Sequence, residues 1–170
     1  MLKVLLINGS SRPQGCTYTA LNEIIKVLEE DGIETEFFQT GKEPIRGCTA
    51  CRGCSVINRC IFDDDPVNAV LEKAEKADGF VFGSPVHYGG PSGNIKSLLD
   101  RVFYSARDMF FNKPGAVVVS ARRGGASAAL DQLNKYLTVC GMIVVSSQYW
   151  NMVHGNTPEE VRQDLEGMQT

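Results

Sequence analysis

Four of the six cysteines lie close together in a segment that shows neither helical nor strand periodicity. Their spacing is C-x2-C-x2-C-x5-C, and they are Cys48, Cys51, Cys54 and Cys60. Spacings of three residues let a loop return each sulfur to a common point. In a cytosolic chain, clustered cysteines are more often metal ligands or redox groups than parts of a disulfide framework. We therefore expect residues 44–62 to form an insertion with a chemistry of its own.

The spacing bears on which metal centre these cysteines could hold. Structural zinc usually takes its four thiolates from two pairs that are separated by a longer excursion. A C-x2-C-x2-C run is closer to the cluster-binding pattern of bacterial ferredoxins. Unlike that pattern, Cys60 is followed by Ile61 rather than by proline, and no second set of ligands exists. One iron–sulfur cluster at most is indicated, with zinc or empty reduced thiols as the alternatives.

Length, composition and charge limit the remaining possibilities. A chain of 170 residues with 43% hydrophobic content can bury one good core, so residues 1–170 are expected to form one domain. The net charge is only -3 and the basic residues are scattered, which argues against nucleic acid or an anionic membrane as partner. The apolar start is too short for a secretory signal, and no apolar run approaches the roughly 20 residues of a membrane span. We interpret the protein as cytoplasmic.

Short apolar runs alternate with helical periodicity along the whole chain. The predicted strands are residues 3–7, 33–38, 79–83, 116–120 and 142–146. Asp65-Pro66 and Thr157-Pro158 are favourable helix starts, with the first residue of each pair as N-cap. Alternating strands and helices with right-handed crossovers predict an α/β fold. At this length we expect a flavodoxin-like three-layer sandwich with a five-stranded parallel sheet in the order 2-1-3-4-5.

The loop that follows the first strand has the composition of a phosphate-binding turn. This first loop, residues 8–17, offers hydroxyl groups on Ser10, Ser11 and Thr17, a charge on Arg12, and a helix N-terminus after it. It lacks the Gly-Lys-Ser/Thr ending of a nucleoside-triphosphate loop and the G-x-G-x-x-G of a dinucleotide site. A mononucleotide or a single phosphate fits better. The alternative is an ordinary strand-to-helix turn, which collects the same residues.

Two further loops should lie on the same rim, because ligands of such sheets bind beyond the carboxyl ends of the strands. The second loop, residues 84–93, has an aromatic Tyr88 and the pair Gly89-Gly90, which would let backbone approach a flat ligand. The third loop, residues 121–125, contains Arg122 and Arg123, either as a solvated pair or closing over an anion. A shared binding site for all three loops is the economical interpretation.

Together these segments resemble the NAD(P)H-dependent FMN reductase family of flavodoxin-like proteins. The resemblance is carried by NGSSRPQGCT, GSPVHYGGPSGNIKSLLDR and ARRGG. It implies FMN, with its phosphate at Ser10, Arg12, Gln14, Gly15, Cys16 and Thr17 and its isoalloxazine ring along Pro85, Val86, His87, Tyr88 and Gly89. Arg122 and Gly125 would then lie near the far side of the ring or near a partner subunit. Cys16 is a departure from the family pattern, because related sequences often have asparagine there. The early end at Thr170 is another, because relatives tend to continue through a full terminal helix, and truncation or disorder there are the two explanations.

The cysteine segment resembles that of one branch of this family, the iron–sulfur flavoproteins, which hold a [4Fe-4S] cluster close to FMN. Carried over position by position, the cluster ligands are Cys48, Cys51, Cys54 and Cys60. Related FMN reductases also have cysteine-rich loops for which sequence demonstrates no cluster. The resemblance further implies a homodimer or a homotetramer.

The expected function is FMN-dependent electron transfer. Our hypothesis is that NAD(P)H or a ferredoxin reduces FMN, and that a quinone, a second flavin or the cluster accepts the electrons. No side chain demands an acid/base role, so no catalytic residue is predicted. The alternative is a non-enzymatic electron carrier of the flavodoxin type. Flavodoxins are usually strongly acidic, and the near-neutral charge of this chain argues against that class.

Overall fold

A central sheet organises the chain, and the computed structural model describes all residues from Met1 to Thr170. The strands are β1 (Lys3–Asn8), β2 (Glu34–Gln39), β3 (Gly79–His87), β4 (Gly90–Pro91), β5 (Pro114–Ala121), β6 (Ile143–Val144) and β7 (Met152–His154). The main path through the sheet is β2-β1-β3-β5-β6, and all its neighbouring strands are parallel. This path is the predicted 2-1-3-4-5 order, which is therefore confirmed.

The predicted count of five strands is wrong in two places. β4 is a short antiparallel partner of the end of β3, and β7 is a further parallel partner of β5. The predicted fifth strand, residues 142–146, shrinks to the two residues of β6, which pairs with the start of β5. The chain then leaves the sheet and returns as β7 beside the end of β5. The edge position is thus shared by two short strands, neither of which is long enough to show a strand pattern in sequence.

The helices lie between the strands or after the last one, as the alternation of apolar runs with helical periodicity predicted. They are α1 (Cys16–Glu30), α2 (Cys54–Ile57), α3 (Val67–Ala74), α4 (Gly93–Ser105), α5 (Ala126–Val139), α6 (Pro158–Gln163) and α7 (Leu165–Gln169). The predicted Thr157 cap is confirmed, since its side chain accepts from the Glu160 N–H with Pro158 in the first turn. At α3 the cap position is Pro66, one residue later than predicted, although Asp65 still accepts from the Val67 N–H at 3.3 Å.

Alternate residues of the central strands face opposite layers of helices, as the two-residue period of a strand requires. Leu5 and Phe82 belong to the larger core, which α3, α4 and α5 cover. Leu6 and Val81 belong to the smaller core on the other face, which α1 and α6 cover. The chain is therefore the three-layer α/β sandwich that the sequence predicts.

The two faces of the sheet are covered very unequally. The larger core has 26 buried residues and the smaller one has 7. Near the smaller core, a cavity of about 670 Å³ lies between α1, the lower ends of the strands and α7. This apolar cavity lies at the N-terminal ends of the parallel strands. The loops that were predicted to bind a ligand lie at the opposite edge of the sheet, beyond the carboxyl ends. None of the helices is both long enough and apolar enough to cross a membrane.

Candidate functional site

The first and second loops are joined directly by backbone and hydroxyl groups. The Gly9 N–H donates to the Gly83 carbonyl at 2.8 Å. The Ser92 hydroxyl, at the N-terminus of α4, donates to the Gly9 carbonyl at 2.6 Å. The Ser92 N–H in turn donates to the Ser84 hydroxyl at 2.9 Å. These bonds hold the carboxyl ends of β1 and β3 in one fixed arrangement.

The first loop turns around the start of α1, which no side chain caps. Ser10 is buried: its N–H donates to Asn8 Oδ1 at 3.0 Å, and its hydroxyl accepts from the Arg12 N–H at 3.1 Å. Arg12 and Gln14 are exposed at the rim, and the Gly15 N–H closes the turn onto the Arg12 carbonyl. The first turn of α1 has no acidic residue. Its uncapped N–H groups and the positive end of the helix dipole suit an anion.

The next two residues are oriented differently from each other. The Thr17 hydroxyl is buried and hydrogen-bonded to the Ser120 hydroxyl at 2.8 Å, which ties α1 to the end of β5. The Cys16 thiol instead donates to the Gly155 carbonyl at 3.6 Å. Burial raises the pKa of this thiol above its usual value. Because the Cys16 sulfur is bonded to the Gly155 carbonyl, the group of Cys16 that could donate to a ligand at the start of α1 is its backbone N–H.

The second loop is in fact a tight hairpin rather than an open loop. β3 continues through Pro85 and Val86 to His87, because its backbone pairs with both β5 and β4. Tyr88 and Gly89 form the two-residue turn, with φ of +51° and +75°. Positive φ at both positions is what a type I′ turn needs, and it is unusual for tyrosine. The Tyr88 ring is fully exposed, and His87 is also exposed.

The third loop comes into backbone contact with this hairpin. Gly125 precedes α5 with φ of +92°, and a Cβ added to it would lie 2.8 Å from Gly89 Cα. Only glycine accommodates both the backbone angle and the close approach. Arg122, in the same loop, is exposed. All three predicted loops therefore meet at one edge of the sheet.

The cysteine segment forms a second feature beside this edge. Cys48 and Cys51 are exposed, whereas Cys54 and Cys60 are half-buried, and none of them forms a disulfide. All four line one small cavity together with Arg101. No three histidine, cysteine or carboxylate side chains converge closely enough to hold a single metal ion. The segment was predicted without regular structure, but it contains the one-turn helix α2, which begins at Cys54.

The backbone of the cysteine segment is sharply curled. Ala50, Arg52 and Asn58 all have positive φ, between +52° and +60°. Such angles are uncommon for residues with a Cβ, and they concentrate at functional sites where surrounding contacts enforce them. Among those contacts, Asn68 accepts from the Cys60 N–H at 3.0 Å and donates to the Cys60 carbonyl at 2.9 Å. The segment is thus pinned to α3 at its last cysteine.

Arg101 is the buried charge at the base of this segment. Its side chain is 2% exposed and forms an ion pair with Asp65. Its Nε and Nη2 atoms donate to Cys60 Sγ at 3.3 and 3.2 Å. Burial opposes the charge on Arg101, but the hydrogen bonds to Asp65 and Cys60 outweigh it and raise the pKa of the guanidinium. Arg101 therefore stays charged beside the sulfur.

Several of these residues were missed in the sequence. Gln39 links the first loop to β2, since it accepts from Asn8 Nδ2 at 2.8 Å and donates to the Ser10 carbonyl. Nothing in its local sequence signals this role. Arg101 does have a signal, because it ends the SGNIKSLLDR part of the motif that carries the family resemblance. Its partner Cys60 lies 41 residues away, so only the fold joins them.

Comparison with known proteins agrees with this geometry. The family model for NADPH-dependent FMN reductase matches residues 2–157. An iron-sulfur flavoprotein of Methanocaldococcus jannaschii is 33% identical, over 99% of this chain and 91% of its own length. An iron-sulfur flavoprotein of Methanosarcina thermophila is 31% identical, over 99% of this chain and 89% of its own length.

A solved archaeal structure extends the comparison to the fold. A flavodoxin from the domain Archaea superposes with a TM-score of 0.64 at 13% identity, covering 98% of this chain and 94% of that one. The likeness shows that the sandwich described above is flavodoxin-like. The chain belongs to the NADPH-dependent FMN reductase family, and it is an FMN-dependent oxidoreductase.

Proposed function

We propose that the three joined loops bind FMN and that NAD(P)H supplies its electrons. The observation that carries this proposal is the contact of all three loops at one edge of the sheet. The Gly9–Gly83 bond joins the first two, and the close approach of Gly89 and Gly125 joins the last two. This edge lies where the strand order reverses around β1 and β3, which is where sheets of this type bind their ligands.

The phosphate of FMN belongs at the start of α1. The backbone N–H groups of Gly15, Cys16 and Thr17 and the side chains of Ser10, Arg12 and Gln14 form the donor set. The helix is uncapped and has no acidic residue in its first turn, so no side chain there competes with a phosphate for these donors, and only the Gly15 N–H already has a backbone partner, the Arg12 carbonyl at 3.4 Å. Arg12, which is exposed, adds the positive charge that a dianion needs.

The ring of FMN belongs along the hairpin. The hairpin presents its backbone and the exposed side chains of His87 and Tyr88, and the Gly125 turn lies directly against Val86 and Gly89. The proposed ring contacts are Pro85, Val86, His87, Tyr88 and Gly89. Arg122, which is exposed in the third loop, would meet an anionic group at the outer edge. These residues bind and orient a flat ligand, and none is required to move a proton. When bound, FMN itself supplies the redox chemistry, since it accepts a hydride and releases electrons singly or in pairs.

A [4Fe-4S] cluster is the centre that best fits the cysteine segment. A zinc ion needs four thiolates within about 2.3 Å of one point, and no three ligands converge in that way here. A four-iron cluster binds one thiolate at each iron, so its ligands surround a wider space. Cys48, Cys51, Cys54 and Cys60, the full thiolate set of such a cluster, line one small cavity of about 20 Å³, which must widen to receive it. The cluster would give the protein a one-electron acceptor or donor beside the flavin, with a quinone, a second flavin or ferredoxin as external partner.

Substitution of Gly125 tests whether loop contact creates the flavin site. In Gly125→Ala, the Cβ meets the backbone of Gly89 at 2.8 Å and φ of +92° is strained, so the hairpin must shift. We expect FMN to bind about tenfold more weakly or worse, a change of about 1.4 kcal/mol, as measured by quenching of flavin fluorescence. Gly124→Ala is the matched control, because its Cβ would enter open space. Equal FMN affinity in the two variants would contradict the proposed site.

Substitution of Cys51 tests the cluster separately from the flavin. Protein reconstituted anaerobically with ferrous iron and sulfide should show broad visible absorbance that bleaches on reduction, in addition to the flavin bands. Cys51→Ser should lose the broad absorbance and keep the flavin bands, because the cysteine segment is not part of the three loops. Cys140→Ala, which alters a buried cysteine in the larger core, should keep both. Unchanged iron content in Cys51→Ser would refute the proposed ligand set.

Turnover distinguishes the proposed donor from the alternatives. Protein loaded with FMN should oxidise many equivalents of NADPH or NADH when a soluble quinone is present, followed at the nicotinamide absorbance. Free FMN at the same concentration is the control for non-enzymatic reaction. Protein that retains FMN but consumes neither nucleotide would exclude nicotinamide as donor and favour reduction by ferredoxin.

A further inference from the structure

Arg101 uses all five of its N–H donors inside the protein. Nε and one Nη2 N–H donate to Cys60 Sγ, and the other Nη2 N–H donates to the Phe62 carbonyl at 3.2 Å. Nη1 donates to the Arg46 carbonyl at 3.1 Å and to Asp65. Five donors is the whole capacity of a guanidinium. A charged side chain is rarely buried to this extent unless it is fully paired, so Arg101 holds these partners in one specific arrangement.

The partners of Arg101 come from both ends of the cysteine segment. Arg46 precedes the first cysteine, whereas Cys60 and Phe62 lie at the last one. The Phe62 ring also contacts two guanidinium groups, with Arg46 Cζ at 4.5 Å and Arg101 Cζ at 5.8 Å from its centroid. One side chain thus closes the base of the segment and fixes where the Cys60 sulfur points.

Arg101 also connects this segment to the flavin edge through a rigid element. It lies on α4, whose N-terminal Ser92 bonds to Gly9 and Ser84 in the first and second loops. The nine steps from Ser92 to Arg101 span on the order of 13 Å along the helix axis. The position of Cys60 relative to the flavin edge is therefore set by one helix rather than by a flexible chain.

A thiolate that binds iron keeps lone pairs that can accept further hydrogen bonds. Donors to such sulfurs, like positive charge nearby, stabilise the more negative, reduced state of an iron–sulfur cluster and raise its reduction potential. Outer partners of metal ligands also hold the ligand in its binding orientation. Arg101 provides both effects at Cys60, and Asp65 offsets its charge, with 5% of the Asp65 side chain exposed.

We propose that Arg101 is the positioning residue of the cysteine site, which orients Cys60 for a cluster and raises the reduction potential of that cluster through its two N–H···S bonds. This role rests on the proposed function, because it acts on the cluster proposed there. Arg101 contacts neither the flavin loops nor an external substrate, so it acts through Cys60.

The test compares Arg101→Lys with the wild-type protein after anaerobic reconstitution with ferrous iron and sulfide. Lysine keeps the charge beside Asp65, but a single ammonium cannot reach Cys60, Asp65 and two carbonyls at once. We expect the cluster to have a more negative midpoint potential and to be lost to an iron chelator about tenfold to a hundredfold faster. The potential of the FMN should be unchanged, which shows that the flavin edge is intact.

Two further variants make the outcome decisive. Arg59→Lys is the matched control, since Arg59 adjoins Cys60 but pairs with exposed Asp63, and it should behave as wild type. The double variant Arg101→Met/Asp65→Asn removes both buried charges together. Its cluster should show the same negative shift in midpoint potential as that of Arg101→Lys. Wild-type midpoint potentials and chelation rates in both Arg101 variants would overturn the role of Arg101 alone. Wild-type protein that takes up no cluster would overturn the proposed cluster and this role together.

Discussion

The arrangement of the site depends on one constraint of a parallel sheet, namely that neighbouring strands end at the same edge. The loops after β1, β3 and β5 must all turn there, and their polar backbone groups need partners. In this protein some of them find partners in one another: the Gly9 N–H donates to the Gly83 carbonyl, and the Ser92 hydroxyl donates to the Gly9 carbonyl. The Thr17 and Ser120 hydroxyls also bond to each other. These bonds fix the loops as one surface.

Glycine makes this packing feasible at two points where side chains would not fit. A Cβ at Gly9 would lie 2.5 Å from Ile95 Cβ, and one at Gly125 would lie 2.8 Å from Gly89 Cα. The first contact brings the loop onto α4, and the second brings the third loop onto the hairpin. In the proposed site, a flat, phosphate-bearing ligand would gain from both, because backbone donors could approach it closely and the fully exposed Tyr88 ring could cover it.

The sequence predicts the sheet order and most helices because buried strands and amphipathic helices have strong periodic patterns. It misses β4 and β7, since strands of two or three residues have no period to detect, and it predicts β6 too long. The hairpin at Tyr88 is not predicted for another reason. Its turn places a tyrosine at positive φ, where glycine or asparagine is expected. The spacing of the cysteines is recognisable in the sequence, whereas Arg101 and Gln39 form hydrogen bonds to residues that are distant in the chain. Their roles follow only from the folded arrangement.

The central claim is that the uncapped start of α1 holds the phosphate of FMN. The most direct measurement is a comparison of FMN with riboflavin, which has the same ring and no phosphate, by fluorescence titration of flavin-free protein. Our account predicts that FMN binds at least tenfold more tightly, a difference of about 1.4 kcal/mol. It also predicts that inorganic phosphate competes with FMN. Equal affinity for the two flavins, or no binding of either, would contradict the account.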